Sequence, residues 1–173
     1  MSGVVKTVTF FSEGQVIAAD LFTPGDLAAD RKYPAVAICQ GFTGIRRTPL
    51  IEAIGAALND AGYVAISFDY RGWGNSGGER GRLAPLEQVD DIRNTLTYLE
   101  TLGCVDADRL GLICALKDST ADPDSLRELF SAAKQPKRWI EVEGAGHYDL
   151  YQPLFDRFRT EIVKFFGEFI GFE

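Results

Sequence analysis

The chain predicts an α/β fold: a mostly parallel sheet, opened by an N-terminal hairpin and covered by helices on both faces. Three observations predict it. Short, continuously apolar runs at 35–39, 63–68 and 110–116 have the length and character of strands buried on both faces. Segments with apolar residues at helical spacing separate these runs, so successive strands run parallel and are joined by right-handed crossovers. Polar loops rich in glycine or aspartate follow the runs, and the carboxyl ends of the strands are where sheets of this kind bind ligands.

Taken in order, Val4 to Phe11 alternates and is rich in β-branched residues, Ser12-Glu13-Gly14-Gln15 supplies a turn, and Val16 to Phe22 resumes the strand, which makes a hairpin. A polar loop runs from Thr23-Pro24-Gly25-Asp26 to Lys32-Tyr33-Pro34, before the strand Ala35 to Cys39. Gln40-Gly41-Phe42-Thr43-Gly44 leaves the carboxyl end of that strand. From Leu50 to Ala61, the residues Leu50, Ile54, Ala57, Leu58 and Ala61 recur at helical spacing, and Gly62 stands where a C-terminal cap belongs. The strand Tyr63 to Phe68 ends in Asp69 to Gly78, a loop too glycine-rich for regular structure. Pro85 opens a helix with Val89, Ile92, Leu96 and Leu99 on one face, ending near Gly103. Asp106-Ala107-Asp108-Arg109 is expected to turn the chain into the strand Leu110 to Leu116. After the loop Lys117 to Pro123, a short helix carries Leu126, Leu129, Phe130 and Ala133, and Arg138 to Glu143 reads as the last strand. The closing helix, Pro153 to Phe169, bears Phe155, Phe158, Ile162, Phe165, Phe166 and Phe169 as a stripe that packs on the sheet.

At 173 residues the chain has the size of one domain, residues 1–173. A net charge of -7 without a block of Lys and Arg disfavours nucleic acid and anionic membrane as partners. Arg46-Arg47 and the pair Arg80 and Arg82 read as small, solvated basic spots. No apolar run approaches the length of a membrane span, and Met1 to Phe11 has no secretory-signal pattern, so a cytoplasmic location is expected. Cys39, Cys104 and Cys114 form neither a CxxC pair nor an even set, which argues against a disulfide framework or a zinc site. They are expected to be reduced and mostly buried.

His147 is the one histidine of the chain, set in Gly144-Ala145-Gly146-His147-Tyr148-Asp149 after the last expected strand. Histidine takes and returns a proton near neutral pH, so its position decides whether it has chemistry or merely occupies a turn. Together with the loops above, this stretch resembles the serine hydrolases of the α/β-hydrolase fold, in particular the bacterial esterase branch related to the X-Pro dipeptidyl-peptidases, over nearly the whole chain. Gln40-Gly41-Phe42-Thr43-Gly44 resembles the family's His-Gly-Phe oxyanion loop, with Gln40 in place of the histidine. The resemblance implies that the Phe42 backbone N–H donates to the developing oxyanion. Asp69-Tyr70-Arg71-Gly72-Trp73-Gly74-Asn75-Ser76-Gly77 resembles a structural loop of the family. Asp118 matches the acid that orients the base, with Asp122 its rival, and Gly144-Ala145-Gly146-His147 matches the base-bearing turn. The implied activity is hydrolysis of a small-molecule ester, amide or peptide through an acyl-serine, without metal or cofactor.

One member of the triad is missing. In the family, the strand that here reads Arg109-Leu110-Gly111-Leu112-Ile113 enters a G-x-S-x-G elbow, but this chain continues Cys114-Ala115-Leu116-Lys117-Asp118. Relative to the family, an internal segment after about residue 113 is expected to be absent, and the fold is truncated in the middle. Substitute nucleophiles are Ser76, whose loop spells G-x-S-x-G without the strand-turn-helix context, Cys114 near the lost elbow, and Ser119 beside Asp118. Each has a bland alternative: a loop-shaping serine, an inert buried thiol, a side chain aimed away from the site. Two functions follow, a hydrolase by ancestry with Asp118, His147 and the Phe42 N–H retained, or a non-catalytic remnant that binds an acyl or peptide ligand or a protein partner. Loss of central strands would also expose a sheet edge through which a homodimer forms.

Overall fold

The computed structural model describes residues 3–41, 45–114, 131, 138 and 154–171. The expected sites Phe42, Asp118, Ser119, Asp122 and His147 lie outside the described residues. So do the expected short helix and last strand, apart from Ser131 and Arg138.

The hairpin forms as β1 (Val4–Ser12) and β2 (Gln15–Thr23), paired antiparallel from Val4↔Thr23 to Ser12↔Gln15. Glu13 and Gly14 make the two-residue turn with φ of 45° and 78°. Positive φ at both central positions gives a turn whose twist matches that of the flanking strands. β3 (Tyr33–Cys39) is buried at every residue, as its unbroken apolar run predicts. Helix α1 (Pro49–Asp60) starts with Thr48 as N-cap, its hydroxyl accepting the Ile51 N–H at 3.3 Å, and with proline in the first turn. Ile51, Ile54, Ala57 and Leu58 form its buried face. β4 (Val64–Phe68), α2 (Pro85–Glu100), β5 (Val105–Cys114) and α3 (Leu154–Phe169) complete the described elements.

The described strands form a mixed five-stranded sheet in the order β1-β2-β4-β3-β5. β3 runs parallel to β4 and to β5, and β2 is antiparallel to β4. Strand alternation divides the core into two layers. Ala35, Ala37 and Cys39 join Phe10, Ile66, Phe68, Tyr70 and Leu99 on the α2 side. Val36 and Ile38 join Ile54, Leu58, Ile162 and Phe166 on the side of α1 and α3. Gly111 lets α3 lie against β5, because a Cβ there would stand 2.4 Å from Phe166 Cε1.

Several expectations change. The polar stretch Asp106 to Arg109 does not precede β5 but lies within it. Between the pairs Tyr33↔Val105 and Ala35↔Leu110, β3 advances two residues while β5 advances five, so the polar residues bulge out of the ladder. Asp106 closes this bulge by accepting the Asp108 N–H at 3.2 Å and Arg109 Nε at 2.7 Å. The apolar stripe of α3 narrows at its end: Ile162 and Phe166 are buried, whereas Phe169 is exposed. The cysteines are not mostly buried, since Cys39 is buried, Cys104 half-buried and Cys114 exposed. Arg46 is the opposite case, buried rather than solvated, and Arg47, though half exposed, is bound to a carboxylate.

Candidate active site

The carboxyl ends of β3, β4 and β5 meet where Cys39-Gln40-Gly41, Phe68-Asp69-Tyr70 and Ile113-Cys114 leave the sheet. Gln40 braces the first two. Its Nε2 donates to the Phe68 carbonyl at 2.7 Å, while among the described residues its buried Oε1 accepts no hydrogen bond. A buried acceptor without a donor costs free energy, so the glutamine is held here by the strand-end contact and not by full satisfaction of its amide.

Asp69 organises the loops around this mouth. Its carboxylate accepts the backbone N–H of Arg46 at 2.7 Å and that of Asn75 at 2.9 Å, and it pairs with the Arg46 guanidinium. Arg46 Nε reaches Asp20 at 3.1 Å, and Arg47 Nε reaches the same Asp20 oxygen at 2.6 Å. Arg46 also receives the Ser67 hydroxyl on its carbonyl at 3.1 Å. The segment after Gly44 is therefore fastened to β2 and the 69–78 loop by charge-assisted bonds, which hold more firmly than neutral ones, and to β4 by the neutral Ser67 bond. For Asp20, burial pushes the carboxyl up. Hydrogen bonds from Arg47 and Thr7, with the charges of Arg46 and Arg47, outweigh burial and hold it below the usual carboxylate range.

Ser76 sits inside this scaffold. Its hydroxyl donates to the Asp69 carbonyl at 2.6 Å and accepts the Ala18 N–H at 2.9 Å, and the residue is 1% exposed. Its oxygen joins the glycine loop to β2. Gly74 adopts a φ of 50°, and a Cβ there would lie 2.2 Å from the Asp69 carboxylate, so the loop closes over Asp69 only with glycine at this position. On the far side, Arg71 grips the buried Asp91 of α2 through its backbone N–H at 2.9 Å and Nη2 at 2.7 Å, and Ser12 donates to the same carboxylate at 2.6 Å.

Cys114 ends β5 directly opposite Cys39 of β3. The neighbouring Cys39 thiol holds the Cys114 pKa below the usual thiol range, against the opposing effect of desolvation. Cys39 is correspondingly pushed well above that range, by the neighbouring Cys114 and by its burial. Burial also pushes the neighbouring Tyr70 hydroxyl up. Among the described residues no group of His, Cys, Asp and Glu is arranged to hold a metal ion. Nor is any described helix long and apolar enough to cross a membrane.

The structure thus places Ser76 in the scaffold and Cys114 at the mouth. The buried charges Asp20, Arg46, Asp69 and Asp91 were not anticipated as site-forming residues. The signal for Asp20 was present: a charge in the middle of Val16 to Phe22, a run otherwise nearly all apolar. Buried charges are rare unless paired, so its partners had to come from elsewhere in the chain.

Among solved structures, the α/β hydrolase GrgF of Penicillium sp. sh18 superposes with a TM-score of 0.60, covering 98% of this chain and 68% of that one at 17% identity. The esterase Pf2001 of Pyrococcus furiosus superposes with a TM-score of 0.72 at 13% identity, covering 98% of this chain and 94% of that one. The chain has the α/β-hydrolase fold. Est1E of Butyrivibrio proteoclasticus, solved with ferulic acid bound, matches at 23% identity and a TM-score of 0.57, over 62% of this chain and 41% of its own. No family model matches the chain. An uncharacterised 31.7 kDa Escherichia coli protein, from the traX-finO intergenic region, is 44% identical over 81 residues, 47% of this chain. A thiohydrolase of Eupenicillium brefeldianum is 34% identical over 79 residues, 45% of this chain. The chain spans 28% of the first relative's length and 25% of the second's.

Proposed function

We propose that this α/β-hydrolase-fold protein descends from enzymes that hydrolyse carboxylic esters or amides through an acyl-serine, and that it keeps the base, the acid and the oxyanion donor without the serine. His147 is the base, Asp118 orients it, and the Phe42 N–H faces the oxyanion. The substrate class is a small-molecule ester, amide or peptide. The observation that supports this reading is the mouth itself: Gln40-Gly41 leaves β3 braced on the Phe68 carbonyl, beside the end of a strand that finishes in Cys114 and not in a glycine elbow. Its esterase character is supported by the fold shared with esterases, and by the thiohydrolase among the sequence relatives.

The test pairs a fluorophosphonate probe with hydrolysis of a p-nitrophenyl ester. With the oxyanion donor retained and the nucleophile absent, no stoichiometric serine adduct forms, while slow turnover exceeds the buffer rate by up to ~10³-fold. In His147→Ala that turnover loses its basic limb near pH ~6.5. Stoichiometric labelling of Ser76 or Ser119 would overturn the claim that the serine is missing. A rate indistinguishable from buffer, together with a raised melting temperature on adding the acyl acid, would favour a non-catalytic ligand-binding remnant instead.

A further inference from the structure

The ends of β3 and β5 carry a second chemistry that uses neither Asp118 nor His147. Cys39 and Cys114 are Cα partners on adjacent parallel strands, so both side chains leave the sheet on the same face, that of α2 and Tyr70. Neighbouring strands lie about 4.8 Å apart. That spacing is inside the ~4.4–6.8 Å window within which two cysteines can be bridged. The two thiols differ in access: Cys39 is 2% exposed, whereas Cys114 is exposed at the strand end. Cys104, the remaining cysteine, stands at the opposite end of β5, just before Val105, and has no part in the pair.

We propose that Cys39 and Cys114 form a dithiol that reacts with hydroperoxides, Cys114 as the attacking residue and Cys39 as the resolving one. The Cys114 thiolate attacks the terminal peroxide oxygen. A sulfur–oxygen bond forms, the oxygen–oxygen bond breaks, and the departing alkoxide takes a proton to leave as an alcohol, or as water when the oxidant is hydrogen peroxide. The Cys39 sulfur then attacks the Cys114 sulfenic acid. The disulfide forms, and the hydroxyl leaves as water with the Cys39 proton. Two thiols and one hydroperoxide thus become one disulfide, one alcohol and one water.

The surroundings fit this division of labour. Paired across the strands, Cys39 lowers the Cys114 thiol while its own burial raises the Cys39 thiol, which favours the Cys114 thiolate and keeps the Cys39 proton in place until the second step. Tyr70 packs in the same buried cluster as Cys39, and its own hydroxyl stays protonated because it is buried. The bridge would tie the end of β3, one residue before Gln40, to the end of β5. Oxidation therefore closes a covalent link next to the loop that carries the expected oxyanion donor.

The experiment treats the reduced full-length chain with equimolar hydrogen peroxide, alkylates the remaining thiols, and maps peptides by mass spectrometry. The expected product has lost two hydrogen atoms, contains a Cys39–Cys114 crosslinked peptide, leaves Cys104 alkylated, and reverts with dithiothreitol. Cys114→Ser abolishes crosslinking, and Cys39→Ser leaves a sulfenic acid at Cys114 that dimedone traps. Because Cys39 lies in the core and its variant risks misfolding, the wild-type map decides the matter alone. Cys114 advancing to sulfinic acid while Cys39 stays free, a crosslink that includes Cys104, or Cys114 reacting no faster than Cys104 would each overturn the proposal. None of these outcomes bears on ester hydrolysis, which His147→Ala reports separately.

Discussion

At the scale of single residues, the glycines of the loop after β4 show how much is decided by one missing carbon. Gly74 and Gly81 both have positive φ, 50° and 75°, but only at Gly74 does an added Cβ meet anything, the Asp69 carboxylate at 2.2 Å. Gly81→Ala is therefore expected to lose only the left-handed backbone cost, about 1–2 kcal/mol. Gly74→Ala adds displacement of a buried, ion-paired carboxylate, for a total of roughly 3 kcal/mol or more. Urea denaturation of the two variants checks this, and equal losses would show that Asp69 is not pressed against the loop. The sequence showed that this stretch is a loop and that Ser76 lies outside a strand-turn-helix context. It did not show that the Ser76 hydroxyl joins Asp69 to Ala18, because those three residues are brought together only by the pairing of β2 with β4. Asp20 and Arg46 were hidden for the same reason: each looks anomalous or solvated until the partner 26 residues away is in place.

Among the elements, the β1–β2 hairpin was legible because its turn and alternation are local. Its one flaw is local too. Glu13 occupies the left-handed region at φ 45°, where a side chain other than Asn, Asp or Gly is disfavoured. Among the described residues its carboxylate meets only a long contact from Asn94, 3.4 Å, so little is lost when it is replaced. Glu13→Asn creates the Asn-Gly pair preferred in this turn and is expected to stabilise the protein by about 0.5–1 kcal/mol, seen as a rise in melting temperature. A fall would mean that the Asn94 contact matters more than the backbone. β5 was less legible. Asp106-Ala107-Asp108-Arg109 has the composition of a turn, and it does turn, but as a bulge inside a strand whose ladder resumes at Leu110. Composition reports that local bend; the return to pairing depends on β3, some 70 residues earlier, and leaves no mark in the bulge itself.

For the molecule as a whole, alternating apolar runs and amphipathic segments were enough to read an α/β sheet, mostly parallel beyond its N-terminal hairpin, with helices on both faces. The electrostatic ties that hold its outer parts to that sheet were not, and they set how the protein responds to acid. Asp20 joins β2 to Arg46 and Arg47 and is held below the usual carboxylate range, so it keeps its charge in the folded state at pH values where the unfolded chain, with carboxyl pKa near ~3.9, takes up protons. Its stabilising contribution is complete above that value and is lost as pH falls through the lower, folded pKa. Asp106, lowered by its hydrogen bond from Arg109, acts in the same direction from the surface. At mildly acidic pH the opposite influence operates: protonation reduces the net charge of -7 and with it the self-repulsion of the compact state. The melting temperature is therefore expected to hold level from pH 7 to about 5 and to drop below about 4. Asp20→Asn removes a carboxylate whose pKa differs between the two states, so its melting temperature is lower at pH 7 and falls less between pH 5 and 3 than that of the unchanged protein. An unaltered acid slope in Asp20→Asn would place the acid-sensitive charge elsewhere, with Asp106→Asn the next variant to measure.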